Sequence, residues 1–197
     1  MTSPSTRPRI VAIGGTVSVG STTELTLRTA MASAAAQGAD VQLFDGAYLA
    51  ALPHYRSTAH AGAEGRELVE AVRQADGLLL AAPGYHGTIS GLVKNALDYL
   101  EDLSKDTRPY LDGRAVGLIA TAYGDQATMS TMQTLRSIVH ALRGWPTPMG
   151  ATIRTFPGLY SVDGECLDDR ARLQLEMVGQ QVVQGAMSLA APARAVA

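Results

Sequence analysis

Five short apolar runs divide the chain, and each is followed by a stretch in which apolar residues return every three or four positions. Residues 9–13, 41–44, 78–82 and 115–120 read as strands, with a weaker one inside 145–154. Residues 78–82 are apolar without alternation, between Gly77 and Pro83, which predicts a strand buried on both faces of a parallel sheet. Residues 145–154 contain Pro146 and Pro148, and prolines confine a strand to a sheet edge. Helical spacing predicts helices over 22–37 (ending at Gly38), 64–74, from Ser90 onward, 129–142 and 167–187. In the helix after Ser90, Leu92, Val93, Ala96, Leu97 and Leu100 form the apolar stripe, and Lys94, Asp98 and Glu101 take the opposite face.

The connections carry the remaining information. Residues 14–23 and 83–89 are loops with two or more glycines, and 121–127 is a third loop, with Gly124 alone. Residues 45–62 show no clean period and read as a long surface excursion; apolar Tyr48, Leu49 and Leu52 imply that it packs over the site or a neighbour. Strands alternating with helices imply a parallel sheet covered on both faces. The expectation is a three-layer α/β/α sandwich with a five-stranded parallel sheet in the flavodoxin-like order 2-1-3-4-5. In that order the switch point lies between the first and third strands, so the loops at Gly14 and Pro83 lie side by side at the carboxyl edge. One domain is expected over 8–190, with 1–7 and 191–197 as disordered tails.

Charge narrows the function classes. Sixteen Lys and Arg against eighteen Asp and Glu give a net charge of −2. No basic face recommends nucleic acid or an acidic membrane surface, and the strong acidity of a small docking electron carrier is missing. The single cysteine, Cys166, forms no internal disulfide and reads as structural or exposed by accident. No segment has the apolar length of a membrane span, and the polar start lacks a signal-peptide core. A cytoplasmic protein is expected.

The first loop, Gly15-Thr-Val-Ser-Val-Gly20-Ser-Thr, has the glycine spacing of a nucleotide-triphosphate loop, but Ser21 stands where the lysine belongs. The G-x-G-x-x-G fingerprint is absent too, which argues against a dinucleotide bound there. The loop suits one terminal phosphate. Gly20 permits close backbone approach, Thr16, Ser18, Ser21, Thr22 and Thr23 offer hydroxyls, and a helix N-terminus follows. The plainer reading of Ser21 to Thr23 is helix capping.

Gly15-Thr-Val-Ser-Val-Gly-Ser-Thr-Thr23, followed by Pro83-Gly-Tyr-His-Gly-Thr-Ile-Ser-Gly-Leu-Val-Lys-Asn-Ala-Leu-Asp98, resembles the flavodoxin-like NAD(P)H-dependent FMN reductase family. Leu52-Pro-His-Tyr55 looks like that family's Leu-Pro-x-Tyr segment. The resemblance implies an FMN cofactor and NADPH or NADH as co-substrate. Ser21 and Thr23 then match positions that hold the FMN phosphate. Pro83, Gly84, Tyr85, His86 and Gly87 match the loop along the isoalloxazine ring. Thr121, Ala122, Tyr123, Gly124 and Asp125 match the third flavin loop, whose N–H groups would face the charge on the reduced ring. Ser18 stands where many members place an arginine. Gly84 replaces a frequent glutamate or valine, which opens room beside the ring, and His86 replaces a frequent asparagine.

No catalytic side chain is expected, because the flavin carries the chemistry. Electrons would pass to free flavin for a partner monooxygenase or to a small-molecule acceptor. The alternatives are a reductase of quinones, azo dyes or metal oxyanions with FMN kept bound, and an electron carrier without turnover of its own. A homodimer or dimer of dimers is expected. Lys94, Asn95 and Asp98 read as a solvated helix face or a subunit contact, and Met129, Met132 and Met149 as core filler.

Overall fold

The computed structural model describes residues 7–56 and 62–190. The expected tails, save for Arg7, lie outside these residues, as does 57–61 of the excursion. The strands are β1 (Arg9–Gly14), β2 (Asp40–Phe44), β3 (Gly77–Tyr85), β4 (Thr88–Ile89), β5 (Ala115–Ala122) and β6 (Trp145–Arg154). The helices are α1 (Thr22–Ala36), α2 (Gly46–Ala51), α3 (Gly62–Gln74), α4 (Gly91–Asp98), α5 (Asp125–Ala141) and α6 (Asp169–Ala190), with a 3-10 turn at Tyr99–Leu103. The main sheet runs β2-β1-β3-β5-β6, all parallel, which is the expected order once β4 is set aside.

β3 occupies the middle of the sheet, and its alternating side chains supply both faces. Leu78 and Leu80 pack with Leu68, Val72, Val93, Leu97, Leu135 and Val139 from α3, α4 and α5. Leu79 and Ala81 pack with Leu27, Ala30, Leu175, Val178 and Val182 from α1 and α6. Such burial contributes about 1.5–3 kcal/mol for each large aliphatic side chain, and it explains why this run lacks polar alternation. β6 is an edge strand, and its register against β5 shifts between the pairs Val116–Pro146 and Leu118–Gly150, a stretch that contains Pro148.

Two elements depart from the sequence expectation. The excursion opens with α2, where Asp45 Oδ1 accepts the Tyr48 N–H at 2.9 Å and caps the helix. Its six residues are too few to display a period. Leu49 and Leu52 are buried in the main core, so this part packs inward. The expected loop at 83–89 is a hairpin: β3 runs on through Pro83 to Tyr85 and turns back as β4, pairing Gly84 with Ile89 and Tyr85 with Thr88. Proline is tolerated inside β3 because β1 has ended, its last partner being Ala81. Met129 is also misjudged as core. It lies in the first helical turns of α5, half exposed, whereas Met132 is buried and Met149 packs against the core.

The family-like segments at 52–55 and 94–98 hold each other. Asn95 Oδ1 accepts the Tyr55 N–H at 2.9 Å, and Asn95 Nδ2 donates to Pro53 O at 3.0 Å. Tyr99 donates to the same carbonyl at 2.8 Å, and the Tyr55 hydroxyl donates to Asp102. Asn95 is thus an internal clamp, while Lys94 and Asp98 pair on the exposed helix surface.

At the amino edge of the sheet, Arg114 is almost fully buried, at 1% exposure. Its guanidinium donates to Ala75 O at 3.1 Å, Arg73 O at 2.8 Å and Tyr110 O at 3.0 Å, closing the last turn of α3 onto β5. Burial, with Arg108 nearby, pulls its pKa down to about 10, which still leaves it charged at neutral pH. Arg114→Met strands these carbonyls. It is expected to lower stability by about 2–4 kcal/mol, because hydrogen bonds to charged groups contribute ~1.5–3 kcal/mol and unpaired buried acceptors are costly. A urea midpoint equal to that of the parent would show that the carbonyls find other donors.

Candidate functional site

Parallel pairing brings the carboxyl ends of β1, β3 and β5 together, because Gly14 lies opposite Ala81 and Pro83 opposite Thr121. The turns after these three strands therefore share one edge. In the first turn, Thr16 Oγ1 accepts the Ser18 N–H at 3.1 Å and shapes the bend. Gly20 has a φ of +68°, and a Cβ built there would meet nothing within 4 Å, so this corner faces open space. Val17 and Val19 are exposed.

The five hydroxyls separate into different duties. Ser21 Oγ caps α1, accepting the Glu24 N–H at 3.3 Å. Thr23 is 3% exposed and its Oγ1 lies 2.6 Å from Thr121 Oγ1. That buried bond ties the first turn to the end of β5, so Thr23 and Thr121 join the loops and do not line an open surface. Ser18 is exposed and Thr22 partly so. Among the described residues their hydroxyls have no hydrogen-bond partner. With the first-turn N–H groups of α1, they form the anion-ready part of the loop.

In the hairpin, His86 at φ +51° and Gly87 at φ +87° are the two central residues of the turn, both left-handed, the pattern of a two-residue type I′ connection. The turn therefore projects outward, with Tyr85 at 51% exposure and His86 and Gly87 exposed. Pro83 is buried. In the third segment, Thr121 and Ala122 belong to β5 and are buried, so the turn itself is only Tyr123 and Gly124. Tyr123 stands 83% exposed, and Gly124 begins α5 without a side-chain cap. The two tyrosine rings and the free hydroxyls of Ser18 and Thr22 thus lie on the same edge of the sheet.

Gly84 has a different role from the one expected. A Cβ there would sit 2.5 Å from Thr131 Oγ1, 3.2 Å from Ala127 O and 3.3 Å from Ala122 Cβ. The missing side chain therefore admits α5 against β3 and leaves no extra room beside a ring. Thr131 is fully buried, and its hydroxyl has no hydrogen-bond partner among the described residues. Nothing local in the sequence signals this contact, because Gly84 and Thr131 meet only through packing.

Two concavities lie outside the three turns themselves, and one of them borders the third. One, of about 940 Å³, runs between α1 and α6 and includes Cys166, whose thiol donates to Asp168 O at 3.6 Å. The other, of about 650 Å³, adjoins the third turn and is lined by Asp125, Met129, Arg154, Phe156, Asp168 and Arg170, among others. Arg154 and Arg170 carry no motif in the sequence, where they stand sixteen positions apart. No group of His, Cys, Asp and Glu able to hold a metal ion occurs among the described residues, and no helix among them is long and apolar enough to cross a membrane.

The sequence profile of the NADPH-dependent FMN reductase family matches residues 8–156, which include all three turns. An FMN-dependent NADPH-azoreductase of Staphylococcus haemolyticus (strain JCSC1435) is 34% identical over 122 residues, covering 60% of each chain. The chain thus spans only part of the length of that relative. Among solved structures, the flavoenzyme NAD(P)H:(acceptor) oxidoreductase FerB of Paracoccus denitrificans superposes with a TM-score of 0.73 at 21% identity, over 92% of this chain and 98% of that one. The apo form of the NADH:FMN oxidoreductase EMOB gives 0.71 at 24% identity, over 93% and 91%. At these identities the structural likeness establishes the flavodoxin-like fold.

The Gly84–Thr131 contact is open to test. Gly84→Ala is expected to lower stability by about 1–3 kcal/mol through overpacking. Thr131→Val removes an unpartnered buried hydroxyl at constant shape and is expected to raise stability by about 1 kcal/mol. Thermal unfolding of both variants reads the two signs, and a destabilised Thr131→Val would mean that the hydroxyl has a partner.

Proposed function

The chain belongs to the NADPH-dependent FMN reductase family, and from that premise we propose that it binds FMN across the three turns and reduces it with NAD(P)H. The observation that carries this reading is the convergence at one sheet edge of an open phosphate-type turn before α1 and two exposed tyrosines on neighbouring turns. The first-turn N–H groups of α1, with Ser18 and Thr22, are the proposed phosphate donors. Tyr85 and Tyr123 offer flat apolar faces at low entropic cost to a planar ring. His86 stands in the hairpin turn in a backbone conformation that asparagine also adopts readily. Gly124 and Asp125 open α5 and turn its free N–H groups toward the same edge.

The flavin supplies the redox chemistry when bound; the protein positions it and leaves a face open for the nicotinamide. The proposed electron acceptor is free flavin serving a partner monooxygenase, or a small molecule. The likeness to an azoreductase supports the second recipient, with FMN retained between turnovers. We place the activity in the cytoplasm, and a second copy of the chain at the edge where Val17, Val19, Tyr85 and Tyr123 are exposed; the mass in solution checks the latter.

The deciding experiment is oxidation of NADH and NADPH with and without added FMN. FMN-dependent oxidation is expected, and no oxidation of either nucleotide would overturn the reading. Ser18→Ala combined with Thr22→Ala removes two free donors but no fold contact. It is expected to weaken FMN binding by about 2–4 kcal/mol, from charge-assisted bonds of ~1.5–3 kcal/mol each with some replacement by water. Quenching of flavin fluorescence measures it, and an unchanged affinity would place the phosphate elsewhere.

A further inference from the structure

The 650 Å³ concavity beside the third turn has the makings of a second ligand seat. Arg154 is the last residue of β6 and lies in register with Ala122, immediately before the exposed Tyr123. The next residue, Thr155, donates its N–H to Ala122 O at 2.7 Å, which locks this end of β6 to the third turn. Arg170 joins the same lining from the first turn of α6. Neither arginine side chain has a hydrogen-bond or ion-pair partner among the described residues. Two long helices, α5 and α6, also begin at this concavity, and the first-turn N–H groups of α5 lack a side-chain cap. Phe156 and Met129 supply exposed apolar surface in the same lining.

We propose that this concavity seats the adenosine end of NADPH, with Arg154 and Arg170 holding its 2′-phosphate. This rests on the reductase reading given above, since the nicotinamide end would reach past Tyr123 to the flavin turns. The chemistry of the wall selects the ligand. Guanidinium groups pair bidentately with phosphate oxygens, and an arginine beside the ribose is the general device by which a 2′-phosphate is accommodated. Phe156 offers a face on which a base can stack. Two aspartates share the lining, but Asp168 Oδ1 is held by the Ala171 N–H at 2.7 Å as the cap of α6. Asp125 remains as an acceptor for a ribose hydroxyl. With two arginines against two aspartates the lining has no net charge, so recognition depends on the placement of the arginines and not on a broad positive field.

The test uses adenosine 2′,5′-bisphosphate and 5′-AMP as probes, titrated calorimetrically into the full chain. The parent protein is expected to bind the bisphosphate at least about tenfold more tightly than 5′-AMP. Arg154→Ala combined with Arg170→Ala should abolish that difference and raise KM for NADPH about tenfold or more. KM for NADH and the affinity for FMN should change less than about twofold. Equal binding of the two probes by the parent, or a double variant that keeps the preference, overturns the proposal; so does an equal rise in KM for both dinucleotides. Because probe binding needs no turnover, a preserved bisphosphate preference in a protein that oxidises neither nucleotide sinks the reductase reading and leaves this seat standing.

Discussion

The structure depends on one constraint: β3 must be paired on both sides and covered on both faces at once. Every residue from Gly77 to Pro83 is buried, so β1 and β5 have to flank it and helices have to cap both surfaces. Parallel pairing then forces β1, β3 and β5 to end at the same edge, where the chain has no more sheet to pair with. The three turns meet there because the hydrophobic demand of β3 leaves them no other place. The buried Thr23–Thr121 bond fastens two of those turns across the end of the sheet.

The two edges of the sheet are finished in opposite ways. At the amino edge, Arg114 satisfies three carbonyls, two at the end of α3 and one before β5. On the flank of α4, Asn95 and Tyr99 secure the 52–55 segment through Pro53 O and the Tyr55 N–H. At the carboxyl edge, by contrast, aromatic rings, the Ser18 and Thr22 hydroxyls and helix N–H groups are left unanswered among the described residues. Leaving polar groups and flat apolar faces open costs stability in isolation, and such sites are where folds of this kind take ligands. The stiff half of the molecule thus supports the half available for binding, and His86 and Gly87 turn the hairpin outward in the left-handed pair of conformations that a type I′ connection requires.

Much of this was legible in the residues. The apolar run at 78–82 announced a doubly covered strand, because burial on both faces removes polar alternation. The prolines at 146 and 148 announced the edge strand, because they donate no ladder bonds. The pairing of a hydroxyl-rich turn with the Pro-x-Tyr and Lys-Asn motifs pointed to the family. These signals are local, carried by residues within one element or one turn.

What only the tertiary structure decided was which residues meet across the fold. Six residues at α2 and two at β4 are too short for a period to show, so caps and pairing partners define them. The sequence marked Thr23 and Thr121 as two flavin contacts, whereas packing buries them as one bond between positions ninety-eight apart. Gly84 suggests space beside a ring in the sequence, but in the fold α5 occupies that space. Arg154 and Arg170 carried no motif, and only the closing of α6 over the end of β6 places them on one concavity. Hydrophobic periodicity is a property of neighbours along the chain, while a binding surface is a property of neighbours in space; the sequence determined the layers and the kind of edge they make, and folding alone chose the side chains that face each other there.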